Sequence, residues 1–231
     1  MKRTEKRDIL AGAGLLTAFG IWTLLIMKVD VRPVGPEGTS VGFAAFNAWF
    51  HRMTGVHMTL YTVTDWLGLV PILVCACFGA LGAVQLFGRK SLRRVDPDII
   101  LLGVYYILVI AAYLFFEMVP VNYRPVLIDG ALEASYPSST TLLVLSVMPT
   151  LVFQANRRFP DARARKAAAV FALVFSAFMA AGRLFAGVHW ATDIIGSVLL
   201  SFGLFALYRA AAGFASRKRA VVSDKGWNDG V

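Results

Sequence analysis

The sequence predicts an all-α fold: a polytopic six-transmembrane-helix bundle with a short outer interfacial helix and both termini cytoplasmic. Three observations carry this reading. Of the 231 residues, 58% are hydrophobic and 16% charged, against about 25% charged in an ordinary soluble domain. That balance excludes a disordered chain, which needs low hydrophobicity and high charge. The apolar residues fall into six runs, and the cations fall between them in a regular alternation.

The runs are Ile9–Met27, Trp66–Phe87, Ile99–Phe116, Ser138–Gln154, Ala167–Arg183 and Trp190–Tyr208. A bilayer core of about 30 Å needs roughly 20 helical residues. The first three runs meet that length, and the last three meet it once their polar ends are included. Together they make residues 1–231 one integral membrane domain. Residues 1–8 and 214–231 are expected as cytoplasmic tails flanking a bundle at 9–213.

Orientation follows from the cations. Lys2, Arg3, Lys6 and Arg7 precede the first run. Arg89, Lys90, Arg93 and Arg94 follow the second. Arg157, Arg158, Arg163, Arg165 and Lys166 follow the fourth, and Arg209, Arg217, Lys218, Arg219 and Lys225 follow the sixth. These eighteen of the 23 Lys and Arg share one side of a six-span chain, which the positive-inside rule makes cytoplasmic. The formal charge of +9 is then mostly an orientation signal. Short, separated clusters of this kind do not suggest nucleic acid as a partner. The expected location is the cell membrane, multi-pass, in a bacterial plasma membrane. The first run is read as a retained anchor, because no small-x-small cleavage site follows it. Cys75 and Cys77 lie two apart within one span, a spacing that indicates neither disulfide nor metal site.

On the outer side, Phe43, Phe46, Phe50 and Met53 recur at helical spacing, with Asn47 and His51 on another face. The segment from Val41 to Met53 reads as an amphipathic helix. It either lies in the interface or packs on the bundle.

The outer ends of spans three to six hold an unusual set of polar residues: Glu117, Arg124-Pro125, Pro137-Ser138-Ser139-Thr140, Arg183, His189 and Asp193. Ionisable groups at membrane depth are costly and by default mark function. His189 and Asp193 are four apart, hence on one helix face, where a carboxylate orients an imidazole. Pro137 opens a helix whose free amides favour anions. Arg124 and Arg183 add planar forks suited to phosphate oxygens. Two arginines, a helix start and an oriented imidazole make a phosphate or phosphate-ester site. No metal-ligand cluster and no nucleotide-binding glycine loop stand out, so no metal and no cofactor are expected.

This arrangement resembles the membrane type 2 phosphatidic acid phosphatase superfamily of lipid phosphatases, whose motifs are K-x6-R-P, P-S-G-H and S-R-x5-H-x3-D. The third reads Gly182-Arg183, five residues, His189, three residues, Asp193. The first reads Glu117, six residues, Arg124-Pro125. The second reads Pro137-Ser138-Ser139-Thr140. The likeness spans roughly Phe116 to Gly196. It implies that His189 attacks phosphorus and forms a phosphohistidine, and that Asp193 supports it. It also implies that Arg124, Arg183, Ser138 and the Ser139 amide hold the phosphate.

Two positions depart from the pattern. The family's histidine, which protonates the leaving alcohol, is Thr140, and general acid help is worth about 10²–10⁴-fold. The family's lysine is Glu117. Four accounts stay open: Glu117 pairs with Arg124; Glu117 is buried and supplies the missing acid; the site binds without turnover; or the leaving group is a phosphate that departs without help. The expected function is hydrolysis of a lipid phosphate or diphosphate at the outer face, with membrane lipids as surroundings. The alternative is a catalytically impaired member that binds or transports phospholipid headgroups.

Overall fold

The computed structural model describes residues 3–228, with side chains to residue 218. Among the described residues eight α-helices follow one another, with two short 3-10 turns between them: α1 (Arg3–Lys28), α2 (Ala44–Thr54), α3 (Met58–Leu67), α4 (Leu69–Arg89), α5 (Pro97–Met118), α6 (Ser139–Arg158), α7 (Ala162–Phe185) and α8 (Ala191–Asn228). Among the described residues there is no strand, only isolated bridges in the loops. Six segments among the described residues are long and apolar enough to cross a membrane: α1, Met58–Arg89, α5, α6, α7 and Ala191–Lys218. The expected six-span bundle is what forms.

The second span starts eight residues earlier than its apolar run. Thr62, Thr64 and Asp65 interrupt the hydrophobic pattern there, yet the helix tolerates them. Thr62 and Thr64 donate their hydroxyls to the carbonyls of Met58 and Leu60, at 3.0 and 2.8 Å. Such back-bonding satisfies a hydroxyl within its own helix. A break falls at Gly68, whose amide reaches both Thr64 and Asp65 carbonyls. The expected tails are also helical where described: α1 begins at Arg3, and α8 runs on to Asn228.

Of the expected Val41–Met53 segment, the helix takes in Ala44 onward as α2 (Ala44–Thr54), and its amphipathy runs opposite to that of a soluble helix. Asn47 is buried and donates to the Gly42 carbonyl and the Thr192 hydroxyl, at 2.8 and 2.9 Å. The His51 Nε2 lies 3.1 Å from the Gly187 carbonyl. Phe46, Trp49 and Met53 stay exposed. The polar face holds the helix to the bundle, and the apolar face points away from it.

α6 is the most enclosed of the six spans. It packs against α4, α5, α7 and α8, and it carries Leu142, Val144, Val147 and Met148 into the core. The α1–α8 seam is the most extensive. Gly12 faces Leu207, and Gly203 faces Leu16. At the start of that seam Asp8 pairs with Arg209 and Glu5 with Arg217. Near the same end, the buried Asp98 of α5 accepts Arg157 and Arg158 of α6 at 3.3 and 2.9 Å. Gln154 donates to the Tyr208 hydroxyl at 2.7 Å. These polar contacts tie α5, α6 and α8 together at the end of the bundle opposite the motif residues.

A side chain added inside the α1–α8 seam has nowhere to go, and overpacking a well-filled core costs about 1–3 kcal/mol. Gly203→Leu is therefore expected to lower the thermal midpoint of the detergent-solubilised protein by several degrees. Gly14→Leu, with open space around its Cβ position, is expected to leave it unchanged. Equal midpoints for the two variants would contradict the packing described.

Candidate active site

The site lies where α7 ends and α8 begins. α7 carries Arg183 in its last turn. The chain then turns at Gly187, whose φ of +71° is a conformation glycine adopts without penalty. A Cβ there would collide with the Gly55 carbonyl. This turn brings His189 back toward the bundle just before α8 starts at Ala191.

Asp193 does two jobs. Its Oδ2 accepts the Trp190 amide at 2.9 Å, from the third position of α8 back to the residue before the helix. That is half of a capping box, which satisfies an amide left without an intrahelical partner. The same oxygen accepts the Ser135 hydroxyl, and Oδ1 accepts Asn122 Nδ2 at 3.2 Å. The carboxylate does not touch the imidazole directly, since His189 Nδ1 is 4.0 Å away. Ser135 stands between them. His189 Nδ1–H donates to the Ser135 carbonyl at 3.1 Å, and the Ser135 hydroxyl lies 3.2 Å from the same nitrogen. A proton on Nδ1 leaves the lone pair on Nε2. That Nε2 is buried and has no hydrogen-bond partner.

The two arginines are also buried. Both sit near the Tyr61 ring, with Arg183 4.8 Å and Arg124 5.9 Å from its centroid. Arg183 Nη1 reaches the Thr64 hydroxyl at 3.4 Å and lies 3.7 Å from Asp65 Oδ1. Arg124 Nε lies 3.0 Å from Glu133 Oε2, close enough for an ion pair. Even so, Arg124 Nε and Nη1 and Arg183 Nε make no hydrogen bond. Buried donors are normally satisfied. Unused donors on two guanidinium groups, beside an unused imidazole nitrogen, suit an anion that brings several acceptor oxygens.

Burial, reinforced by the positive charges of Arg124 and Arg183, holds the His189 imidazole well below the ordinary histidine value of 6.5. The ring is therefore neutral at pH 7, as a nucleophile must be.

Ser138 caps α6 only through its backbone: its hydroxyl is 3.0 Å from Thr141 Oγ1, and its carbonyl accepts Ser197. No side chain caps the helix start, so the first amides of α6, those of Ser139 and Thr140, are left to other acceptors. Ser139 and Thr140 border a cavity of about 270 Å³ that also meets Asp65 and Tyr113. Glu117 is exposed at the end of α5. The carboxylate beside Arg124 is Glu133 rather than Glu117.

Several of these groups are invisible in the motifs. Ser135, Asn122 and Glu133 come from the loop between α5 and α6, which has no periodicity to read. Tyr61 and Asp65 had a usable signal, being polar-tipped residues four apart near the end of a span.

The fold is that of the membrane PAP2 phosphatases. The PAP2 superfamily profile matches residues 99–216, and the chain belongs to that superfamily. The fold is similar to the crystal structure of the first transmembrane PAP2-type phosphatidylglycerolphosphate phosphatase from Bacillus subtilis. The TM-score is 0.60 at 19% identity, over 89% of this chain and 96% of that one. No curated protein matches the chain.

The lowered His189 value links stability to pH. As pH falls through 6.5, the unfolded chain takes up a proton that the folded site refuses. Stability is therefore lost on acidification, at up to about 1.4 kcal/mol per pH unit. Between pH 7 and pH 5 the thermal midpoint of His189→Gln is expected to fall less than that of the parent. Parallel falls would mean that His189 is not held neutral.

Proposed function

We propose that the chain hydrolyses a lipid phosphate or diphosphate through a phosphohistidine on His189. The observation that carries this is the buried His189 Nε2, without a hydrogen-bond partner and within electrostatic reach of Arg124 and Arg183, whose Nη1 and Nε respectively also make no hydrogen bond. His189 Nε2 attacks the terminal phosphorus and the bond to the leaving oxygen breaks; a lipid alcohol leaving from a monophosphate takes a proton from water, and from a diphosphate the lipid monophosphate leaves. A second water then attacks the phosphohistidine, which releases inorganic phosphate and restores the imidazole. Charge accumulating on the phosphoryl oxygens meets the two guanidinium groups and the open amides of α6. Ser135 holds Nδ1, so the imidazolium formed during transfer keeps its orientation. Asp193 balances its charge through Ser135. The distribution of cations between spans supports placing this site on the outer face of the membrane.

Thr140 cannot supply a proton, and Glu117 lies exposed. The rate should then depend steeply on the leaving group. Across a series of lipid-mimetic aryl phosphates, log kcat/KM is expected to rise strongly with the acidity of the departing phenol. A flat series would show that a general acid is present after all. Glu117→Gln is expected to leave the pH profile in place.

The direct test is phosphate release from lipid phosphates by the purified protein. His189→Ala is expected to abolish it by at least about 10³-fold, and acid-labile, base-stable label from a ³²P-lipid should attach to wild type alone. Turnover that survives His189→Ala would overturn the covalent route. Binding without turnover on any lipid would favour the headgroup-binding alternative.

A further inference from the structure

Away from His189, the half of the bundle opposite the motif residues has an open trough in its side. α7 and α8 each pack on α6 but touch one another little. The gap between them is a cavity of about 360 Å³, floored by α6 and walled by Leu173 of α7 and by Phe202 and Phe205 of α8. Leu173 and Phe202 stay exposed, so the trough opens sideways to whatever surrounds the bundle. Its floor runs along α6 from Leu145 to Asn156, a rise of about 16 Å at 1.5 Å per residue. One leaflet of a bilayer core is about 15 Å deep, so the trough has the length of one leaflet.

The trough is polarised along that length. The amide and the charge in its lining, Asn156 of α6 and Arg209 of α8, both lie toward the cation-rich end of the bundle. The Arg209 side chain is 43% exposed. It pairs with Asp8 through Nε and Nη2, which leaves Nη1 outside that pair. On α7, the exposed Lys166 precedes the lining residue Ala169 by one turn and so shares its face. The segment joining α6 to α7 adds Arg163 and Arg165 against a single acid, Asp161. Water finds no partners between apolar walls, whereas an acyl chain meets hydrocarbon on every side. A leaflet lipid places its chain toward the midplane and its headgroup at the surface, which is the polarity of the trough. A zwitterionic headgroup brings an ammonium to a mouth already rich in cations. An anionic one brings only the complementary charge, and basic pockets between spans recognise such headgroups.

We propose that the trough between α7 and α8 binds one anionic phospholipid as a resident lipid, with an acyl chain laid along α6 and the phosphodiester held by Arg209, Lys166 and Asn156. This lipid is distinct from any substrate: it sits in the opposite half of the bundle from His189, and its bonds stay intact. A seated chain fills the space between α7 and α8, the two helices that carry Arg183 and Asp193 and meet at the Gly187 turn. The bundle is therefore completed by a lipid where its own side chains leave a gap.

The test is the thermal midpoint of the full-length protein, stripped of lipid in detergent and titrated with phosphatidylglycerol or with phosphatidylcholine of the same chains. Phosphatidylglycerol is expected to raise the midpoint saturably by several degrees, at a half-saturating concentration at least about tenfold below that of phosphatidylcholine. Ala169→Phe, which fills the trough, is expected to abolish the response. Val170→Phe, on the neighbouring exposed face of α7, is expected to keep it. Lys166→Gln is expected to narrow the preference between the two lipids. Equal responses to both lipids overturn the proposal, and so does a phosphatidylglycerol response that survives Ala169→Phe. Location is read independently on the unaltered protein, with phosphatidylglycerol carrying a photoreactive diazirine in one acyl chain. Its label is expected within residues 145–156, 169–176 and 202–209; label confined to other segments overturns the proposal whether or not the variants fold. Neither measurement depends on turnover, so the phosphatase reading stands or falls separately, on His189-dependent phosphate release.

Discussion

Two guanidinium groups lie buried at one end of a membrane-spanning bundle with donors left over. Charged groups at such depth are costly and persist only when the surroundings compensate them. Here the compensation is partial: a tyrosine face, one threonine hydroxyl, and two carboxylates at ion-pair range. The remaining demand is for acceptor oxygens. A phosphate group supplies these with the right charge and shape. The position of the imidazole and the open start of α6 acquire their chemical meaning from this unfinished electrostatic arrangement.

Holding such groups in place requires a rigid frame, because positive charges relax away from one another when they can. Arg183 is fixed by the last turn of α7, and His189 by the glycine turn and by Ser135. Asp193 secures both the start of α8 and the Ser135 hydroxyl, so one carboxylate couples helix geometry to the orientation of the imidazole. α2 braces the same turn from outside, through Asn47 to Thr192 and His51 to Gly187. Its inverted amphipathy follows from this duty. In a lipid-facing setting the polar face must find partners in the protein, while the apolar face needs none.

At the other end, Asp98 with Arg157 and Arg158, and Asp8 with Arg209, clamp helices that enclose the core. Those arginines were read in the sequence as markers of orientation. In the structure several of them also form ion pairs that set how α1, α5, α6 and α8 meet. A residue that obeys the positive-inside rule is thus not excluded from a packing role.

Six spans, the third motif and the two buried arginines are all legible in the sequence, because each depends on local information. Hydropathy is a property of a run, and the spacing of Arg183, His189 and Asp193 is a property of one short stretch. The helix break at Gly68 and the early start of the second span were obscured by threonines that satisfy themselves within their own helix. The order of contacts inside the site was decided by tertiary structure alone. Ser135 comes between His189 and Asp193 across 54 and 58 residues, Thr64 meets Arg183 across 119, and Asn47 meets Thr192 across 145. Which carboxylate stands by Arg124 also depended on the fold: Glu117 is closer along the chain, but Glu133 is brought back by the loop between α5 and α6. A sequence records which groups are present and how they are spaced along one element. Which of them share a low-dielectric pocket depends on how separate elements close over one another, and it is there that their charges become strong enough to act.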